Sequence, residues 1–124
     1  MQSYDERSQE CLDRLNDLAV VVYKHNAAKG FWGESWDEDR NVGEALALMH
    51  SELSEALEEI RKTDATVTRI YSEGGKPEGF PVELADCVIR ILDFCGRYGI
   101  PLAEAIEMKL AYNQTRPHKH GREF

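Results

Sequence analysis

The chain has 124 residues, 42% of them apolar and 31% charged, a length and composition typical of one globular domain rather than of a disordered chain. Its formal net charge of −8 argues against a nucleic-acid binder, because an acidic surface repels a phosphate backbone. No apolar run approaches a membrane span and residues 1–10 lack the pattern of a secretory signal, so we expect a cytoplasmic protein that makes no membrane contact.

A first helix is predicted where apolar residues recur at helical spacing over 11–22, and Gly30 suits its C-terminal end. The following segment, 31–40, mixes aromatic residues, glycine and acids without a period, which is typical of a loop. It carries Trp32 and Trp36, which we predict to bind a ligand by stacking of their aromatic rings.

A second helix is predicted to begin after Asn41, whose side chain suits an N-cap, and to end near Thr63. Its apolar residues form one stripe, typical of a helix that packs along one face. They are Val42, Ala45, Leu46, Met49, Leu53, Ala56, Leu57 and Ile60. The segment 64–79 is rich in Gly and Pro, so we expect a long connection without a β-hairpin, in which 67–71 is one irregular turn or strand.

Pro81 suits the first turn of a third helix, which Gly99 is predicted to end. At about 100° per residue its polar residues fall in one narrow sector, and nearly everything else is apolar. The sector contains Glu83, Asp86, Arg90, Asp93 and Arg97. Such a helix must be covered almost all round, and one short chain has few helices to cover it, so we expect a partner subunit to do so.

Pro101 opens a fourth helix, which continues to about Arg116, and a polar tail follows over about 117–124. No internal repeat divides the chain. The predicted fold is an all-α bundle of four main helices, a single domain over 1–124 that is completed by oligomerisation.

Two pairs of carboxylates are spaced three residues apart: Glu52 with Glu55 on the second helix, and Glu83 with Asp86 on the third. Each pair projects from one helical face, so packing of the two helices would bring four carboxylates together. Clustered anions call for a cation, and all-oxygen ligands favour Mg²⁺, with Mn²⁺ as a substitute. Because Mg²⁺ often shares its ligand positions with phosphates, a triphosphate substrate is expected. Either pair alone is more typical of a solvated helix than of a metal site, and Asp86 could simply pair with Arg90.

A basic face is predicted on the last helix, where Lys109, Tyr112, Asn113 and Arg116 recur at helical spacing. Lys109 and Arg116 suit phosphate binding, and Asn113 suits a sugar or phosphate oxygen. The alternative is a basic helix end that complements the helix dipole.

Three motifs, taken together, resemble the MazG-like all-α nucleoside triphosphate pyrophosphohydrolases, whose signature is Glu-x-x-Glu on one helix and Glu-x-x-Asp on the next. They are SELSEALEEIRK at 51–62, KPEGFPVELAD at 76–86 and KLAYNQTRPHKHG at 109–121. The resemblance implies Mg²⁺ at Glu52, Glu55, Glu83 and Asp86, and a homodimer or homotetramer that completes the active site. It implies cleavage of (deoxy)nucleoside triphosphates between the α- and β-phosphates, for nucleotide-pool control or house-cleaning.

In the expected mechanism Mg²⁺ holds the phosphates and activates a water molecule, which attacks the α-phosphorus. Glu52 or Glu55 orients or deprotonates this water, and Lys109 with Arg116 stabilises the departing pyrophosphate.

Ser51 departs from the family pattern, because many members carry another Glu at this position. Glu59 is then a further candidate for the general base, unless a metal-bound water needs none. A second enzymatic interpretation is phosphoribosyl-ATP pyrophosphohydrolase, against which the longer N-terminal segment and the YNQTRP motif argue. An interpretation of another class is a non-catalytic helical interaction protein whose carboxylates only solvate its surface.

Overall fold

The structure is a computed structural model that describes residues 6–33 and 41–117. Within these ranges it contains, in chain order, the helices and strands α1 (Glu6–Ala28), α2 (Val42–Ile60), β1 (Tyr71–Glu73), β2 (Lys76–Glu78), α3 (Phe80–Tyr98) and α4 (Leu102–Gln114). The chain described is therefore mostly helical, as predicted, with one small two-stranded sheet. None of these helices has both the length and the hydropathy that crossing a bilayer requires.

The predicted end of α1 at Gly30 is confirmed, and the backbone bonds explain it. Gly30 has φ 81°, and its N–H donates to the Ala27 carbonyl at 3.0 Å. The Phe31 N–H reaches further back, to the Asn26 carbonyl at 3.1 Å. These two bonds form a Schellman motif, in which a left-handed residue lets the chain turn away from the helix. They fix where the next residues leave α1.

The other predicted helix ends also agree with the structure. Asn41 caps α2, because its side-chain oxygen accepts from the Glu44 N–H at 3.1 Å. Gly99 ends α3 with φ 64°, and its N–H donates to the Cys95 carbonyl. Pro101 directly precedes α4.

Residues 71–78 form a β-hairpin, so the prediction of a connection without one is wrong. The two strands pair Glu73 with Lys76, which leaves Gly74 and Gly75 as a two-residue loop. Both glycines have positive φ, 59° and 83°, as a type I′ turn requires. A Gly-Gly pair breaks a helical pattern, but between two short extended segments the same pair favours a hairpin.

Helix α3 is central, since α1 and α2 both pack against it while α4 packs against α1. The core cluster joins Ala19 of α1 to Leu92 and Cys95 of α3. A Cβ at Gly96 would overlap the Ala19 carbonyl oxygen and the Cβ of Tyr23, so the missing side chain lets the two helices touch at their backbones.

The polar sector of α3 faces the interior of the chain. Glu83, Asp93 and Arg97 are buried, whereas Leu84 and Val88 of the same helix are exposed. The exposed apolar set continues along α2 with Leu46, Leu53 and Leu57. The chain by itself thus leaves uncovered an apolar surface on α2 and α3, which consists of these five residues.

Candidate functional site

Helices α2 and α3 pack in opposite directions, which places the first predicted carboxylate pair beside the second. Carboxylate oxygens of Glu52, Glu55 and Glu83 all lie within 4.8 Å of one another. Asp86 lies one turn further along α3 and borders the same cavity as Glu52. The structure therefore brings these four predicted residues to one place, and we call them the carboxylate cluster.

The cluster concentrates negative charge in a partly buried position. Burial and the adjacent Glu55 carboxylate raise the pKa of Glu83 to about 7. Burial and the nearby Glu52 also raise the pKa of Asp86. Glu83 is only 9% exposed, and its Oε2 is shielded from solvent without a hydrogen-bond donor among the described residues. A buried carboxylate oxygen of this kind is costly unless a proton or a cation neutralises it.

Arg90 supplies one positive charge to the cluster. Its Nε donates to Glu52 Oε1 at 2.8 Å, across the α2–α3 interface. The sequence had suggested an i,i+4 pair between Arg90 and Asp86, but the ion pair in the structure is with Glu52. Arg90 still lowers the pKa of Asp86 through its charge, against the stronger raising effect of burial.

A cavity of about 290 Å³ opens beside the cluster. Its lining combines α1, the segment after α1, α2 and α3, with Asn26, Phe31, Glu52, Asp86, Ile89, Arg90 and Asp93. Five of these seven residues are polar or charged, and the volume is close to the lower end of the range of small-molecule sites. One wall is acidic, so the arrangement suits a ligand that brings a cation with it.

Trp32 does not occupy the position expected of a stacking ring. It is 5% exposed, and its indole N–H donates to Asp93 Oδ1 at 2.8 Å. The Arg97 guanidinium lies 4.9 Å from its ring centroid, so the side chain is packed into the α1–α3 interface. Phe31 is 58% exposed and borders the cavity instead. Trp36 lies outside the described residues, so its predicted role has no structural counterpart here.

The predicted basic face of α4 exists, but it gathers around Tyr112. The Lys109 ammonium lies 5.1 Å and the Arg116 guanidinium 5.6 Å from the centroid of the Tyr112 ring. Asn113 has its side-chain oxygen shielded and without a hydrogen-bond partner in the described ranges. We call these four residues the α4 basic face.

The α4 basic face and the carboxylate cluster are attached to different parts of the chain. Helix α4 begins beside Asn16, whose Oδ1 accepts from the Ala103 N–H at 3.1 Å. Asn26, at the cavity, lies ten residues further along α1, which is about 15 Å away. Within 6–33 and 41–117, no hydrogen bond or ion pair joins the α4 basic face to the carboxylate cluster.

A second polar group, which the sequence did not single out, anchors the hairpin to α2. Tyr71 donates to Glu59 Oε1 at 2.5 Å, and the Lys62 ammonium donates to Glu59 Oε2 at 2.8 Å. These bonds, that from Lys62 above all, lower the pKa of Glu59. Oxygens of Glu59, Glu78 and Glu83 also lie within 4.8 Å of one another, so the hairpin borders the carboxylate cluster. Because the hairpin was not predicted, the sequence pattern did not place Tyr71 beside Glu59.

The candidates for a general base differ in their surroundings. Ser51 is exposed and its hydroxyl donates to the Leu48 carbonyl of its own helix at 2.6 Å. Both oxygens of Glu59 accept from neighbouring donors, and Glu52 is paired with Arg90. Glu55 is exposed and makes no ion pair with any residue the structure describes. Its carboxylate is therefore open to a water molecule, unlike those of the buried Glu52 and Glu83.

The donor set fits a hard divalent cation. All the groups that converge are carboxylates, which suit Mg²⁺ or Mn²⁺ better than zinc. Comparisons with protein-family models, with curated proteins and with solved structures gave no match. The MazG-like resemblance therefore remains a prediction based on the three sequence motifs, and the geometry of the cluster is the independent support for a function.

Proposed function

We propose that this chain is a MazG-like enzyme, which hydrolyses (deoxy)nucleoside triphosphates to monophosphate and pyrophosphate in the cytoplasm with Mg²⁺ or Mn²⁺. The observation that carries the proposal is the convergence of Glu52, Glu55 and Glu83, with Asp86 beside them, next to a cavity. The buried oxygen of Glu83 supports a cation at this place, because a carboxylate oxygen without a hydrogen-bond donor needs a proton or a cation to neutralise it.

The roles of the residues follow from their surroundings. Glu52, Glu83 and Asp86 would hold the ion, which when bound supplies positive charge that binds phosphate oxygens and makes the attacking water more acidic. Glu55 accepts a proton from this water. The water oxygen bonds to the α-phosphorus, the bond from the α-phosphorus to the bridging oxygen breaks, and pyrophosphate leaves with the electron pair.

The cavity beside the cluster suits the nucleoside part of the substrate. Phe31 offers an exposed ring for stacking, and Asn26 offers an amide that can both donate and accept hydrogen bonds. In this proposal Trp32 acts indirectly, because its bond to Asp93 fixes the chain next to Phe31.

The proposal includes a homodimer or homotetramer. The apolar surface of α2 and α3, with Leu46, Leu53, Leu57, Leu84 and Val88, is a surface that a second copy would cover. A partner subunit would also explain how the α4 basic face reaches a carboxylate cluster, since no hydrogen bond or ion pair joins the two within the described part of one chain. Replacing Leu53 with Asp is expected to shift the sedimentation coefficient to that of a monomer, while Ser54→Asp, also on α2 and exposed, leaves it unchanged.

The decisive experiment measures pyrophosphate release from a panel of dNTPs and NTPs with Mg²⁺, with Mn²⁺ and with EDTA, and identifies the nucleotide product. Metal-dependent formation of monophosphate and pyrophosphate is the expected result. Asp86→Asn should abolish this turnover without changing the helical circular dichroism spectrum, and Glu58→Gln, whose carboxylate is 68% exposed on α2, is the matched control.

The same panel separates the alternatives. Phosphoribosyl-ATP is included, and turnover of this compound alone would favour phosphoribosyl-ATP pyrophosphohydrolase. An absence of turnover, together with a melting temperature that neither metal changes, would contradict the proposal and favour a non-catalytic interaction protein.

A further inference from the structure

The hairpin carries a lysine to the edge of the carboxylate cluster. Lys76 opens β2, and its ammonium lies 3.4 Å from Glu78 Oε1. A carboxylate oxygen of Glu78 in turn lies within 4.8 Å of an oxygen of Glu83. The charges of Glu83 and Glu55 also contribute to raising the pKa of Lys76, after the larger effect of Glu78. The ammonium is therefore charged and lies next to Glu78, which borders the cluster.

The contact with Glu78 leaves the Lys76 ammonium accessible to another anion. Its side chain is 77% exposed, whereas that of Glu78 is 17% exposed. The separation of 3.4 Å is longer than the 2.7–2.9 Å typical of a strong charged hydrogen bond. A more highly charged anion placed beside the cluster can thus compete for this lysine.

The hairpin holds Lys76 in a defined position. At its base Tyr71, which pairs with Glu78 across the sheet, is bonded to Glu59 of α2. Beyond β2, Gly79 has φ 122°, and a Cβ there would overlap the Arg69 carbonyl oxygen. Both ends of the hairpin are therefore fixed against neighbouring backbone or helix.

The cavity and the hairpin lie on opposite sides of the carboxylate cluster. The cavity is bordered by Glu52 and Asp86 and continues along α3 to Asp93. The hairpin lies beside Glu83, in the direction of the start of α3. A nucleotide whose α-phosphate is at the cluster and whose nucleoside is in the cavity would direct its remaining phosphates towards the hairpin.

We infer that Lys76 binds the β- and γ-phosphates of the substrate, and hence the pyrophosphate that leaves, from within the same chain as the carboxylate cluster. This inference rests on the proposed function. It assigns to the hairpin the phosphate contact for which the sequence had suggested only Lys109 and Arg116. It also fixes the direction of the bound nucleotide.

The test measures the affinity of inorganic pyrophosphate by calorimetry, in the presence of Mg²⁺, for the full chain and its variants. Lys76→Met should weaken pyrophosphate binding about tenfold or more, as expected when one charged hydrogen bond is lost. Lys76→Arg should stay within a few-fold of the wild type, since the charge is retained. Lys24→Met, a substitution of an exposed lysine on α1, is the matched control and should have no effect.

Two further readouts give each outcome a meaning. The affinity for Mn²⁺, measured by electron paramagnetic resonance, should not weaken in Lys76→Met, and its circular dichroism spectrum should be that of the wild type. Unchanged pyrophosphate affinity in Lys76→Met, or tighter Mn²⁺ binding as its sole effect, overturns the inference and makes Lys76 only a neutralising charge. If the wild type binds pyrophosphate through Lys76 but cleaves no triphosphate, the proposed function fails and the phosphate contact stands.

Discussion

The carboxylate cluster and the α4 basic face were predicted by the same kind of evidence, yet the structure treats them differently. Glu52 of α2 and Glu83 of α3 lie together at the α2–α3 interface, where both side chains are buried. Lys109 and Arg116 instead lie around an exposed Tyr112 on a helix that packs against α1. The first group combines side chains from two packed helices, whereas the second lies on α4 alone.

The difference shows what helical spacing can and cannot predict. Spacing at three and four residues decides which side chains share a face, and both groups satisfied it. Whether two faces meet depends on how the helices pack, which is decided by residues elsewhere, such as Gly96 between α1 and α3. The carboxylate cluster lies within one pair of packed helices and was therefore easier to predict. A site that combines this pair with α4 depends on the packing of a third helix.

The largest expected effect tests the carboxylate cluster. Glu83→Gln removes the charge of a buried carboxylate in the cluster and is expected to lower metal-dependent turnover by about a hundredfold or more. Turnover is measured as pyrophosphate release at saturating Mg²⁺. Glu58→Gln, at an exposed position on α2, should keep full activity. Activity of Glu83→Gln close to that of the wild type would remove Glu83 from the cluster's function.

The next largest effect tests the α4 basic face. If, as proposed, a partner subunit brings the α4 basic face to the carboxylate cluster, Arg116→Met is expected to lower kcat/KM by about tenfold, as for the loss of one charged hydrogen bond. Mixing Arg116→Met with Glu83→Gln under conditions of subunit exchange should then give more activity than the sum of the two variants measured separately. If the mixture is no more active than the sum of its components, the two groups do not meet across subunits.

A smaller effect concerns the pH dependence of the metal-free protein. The pKa of Glu83 rises from its ordinary 4.5 to about 7 in the folded chain, so the folded state binds this proton more tightly than the unfolded state. The stability that protonated Glu83 contributes is therefore present at low pH and is lost as the pH rises through about 7. With EDTA present, the melting temperature should be several degrees higher at about pH 5.5 than at about pH 8.

The control for this effect is Glu83→Gln, which should melt at nearly the same temperature at both pH values. Asp86 acts in the same direction, because its pKa is also raised, and leaves a small residual slope. Glu59, whose pKa is lowered, titrates below the chosen range. An equal slope in the wild type and in Glu83→Gln would mean that Glu83 is not the titrating group.

The smallest expected effect concerns the anchor of the hairpin. Tyr71→Phe removes the hydroxyl that donates to Glu59 and should slightly lower the free energy of unfolding, because this hydrogen bond attaches the hairpin to α2. Urea denaturation should show a lower midpoint with an unchanged slope, since the fold is retained. Tyr112→Phe, on the exposed α4 basic face, is the comparison and should leave the midpoint unchanged.

Much of the fold could be predicted, because helix ends depend on local hydrogen bonds. Gly30 and Gly99 adopt the left-handed conformation for which glycine was expected, and Asn41 caps α2 as its side chain suggested. The hairpin at Gly74 and Gly75 was missed, because its strands are only three residues each and too short to show an alternating pattern.

The remaining differences arise where tertiary packing decides. Trp32 and Phe31 are adjacent in the sequence, and composition favours the larger ring as the ligand contact. The Schellman turn sends Trp32 towards Asp93 in the interior and leaves Phe31 at the cavity. The polar sector of α3 was identified correctly, but its inward orientation depends on the carboxylates and aromatic rings of other helices.

The backbone contact between Gly96 and Ala19 has a mechanical consequence for the cavity. Helix α1 can tilt about this point of contact with α3. Asn26, which lines the cavity, lies seven residues further along α1, about 10 Å from the contact. A methyl group at this contact, as in Gly96→Ala, would tilt α1. The residues at the rim of the cavity would then move further than the residues at the contact. The width of the cavity can therefore be adjusted from a position that does not line it.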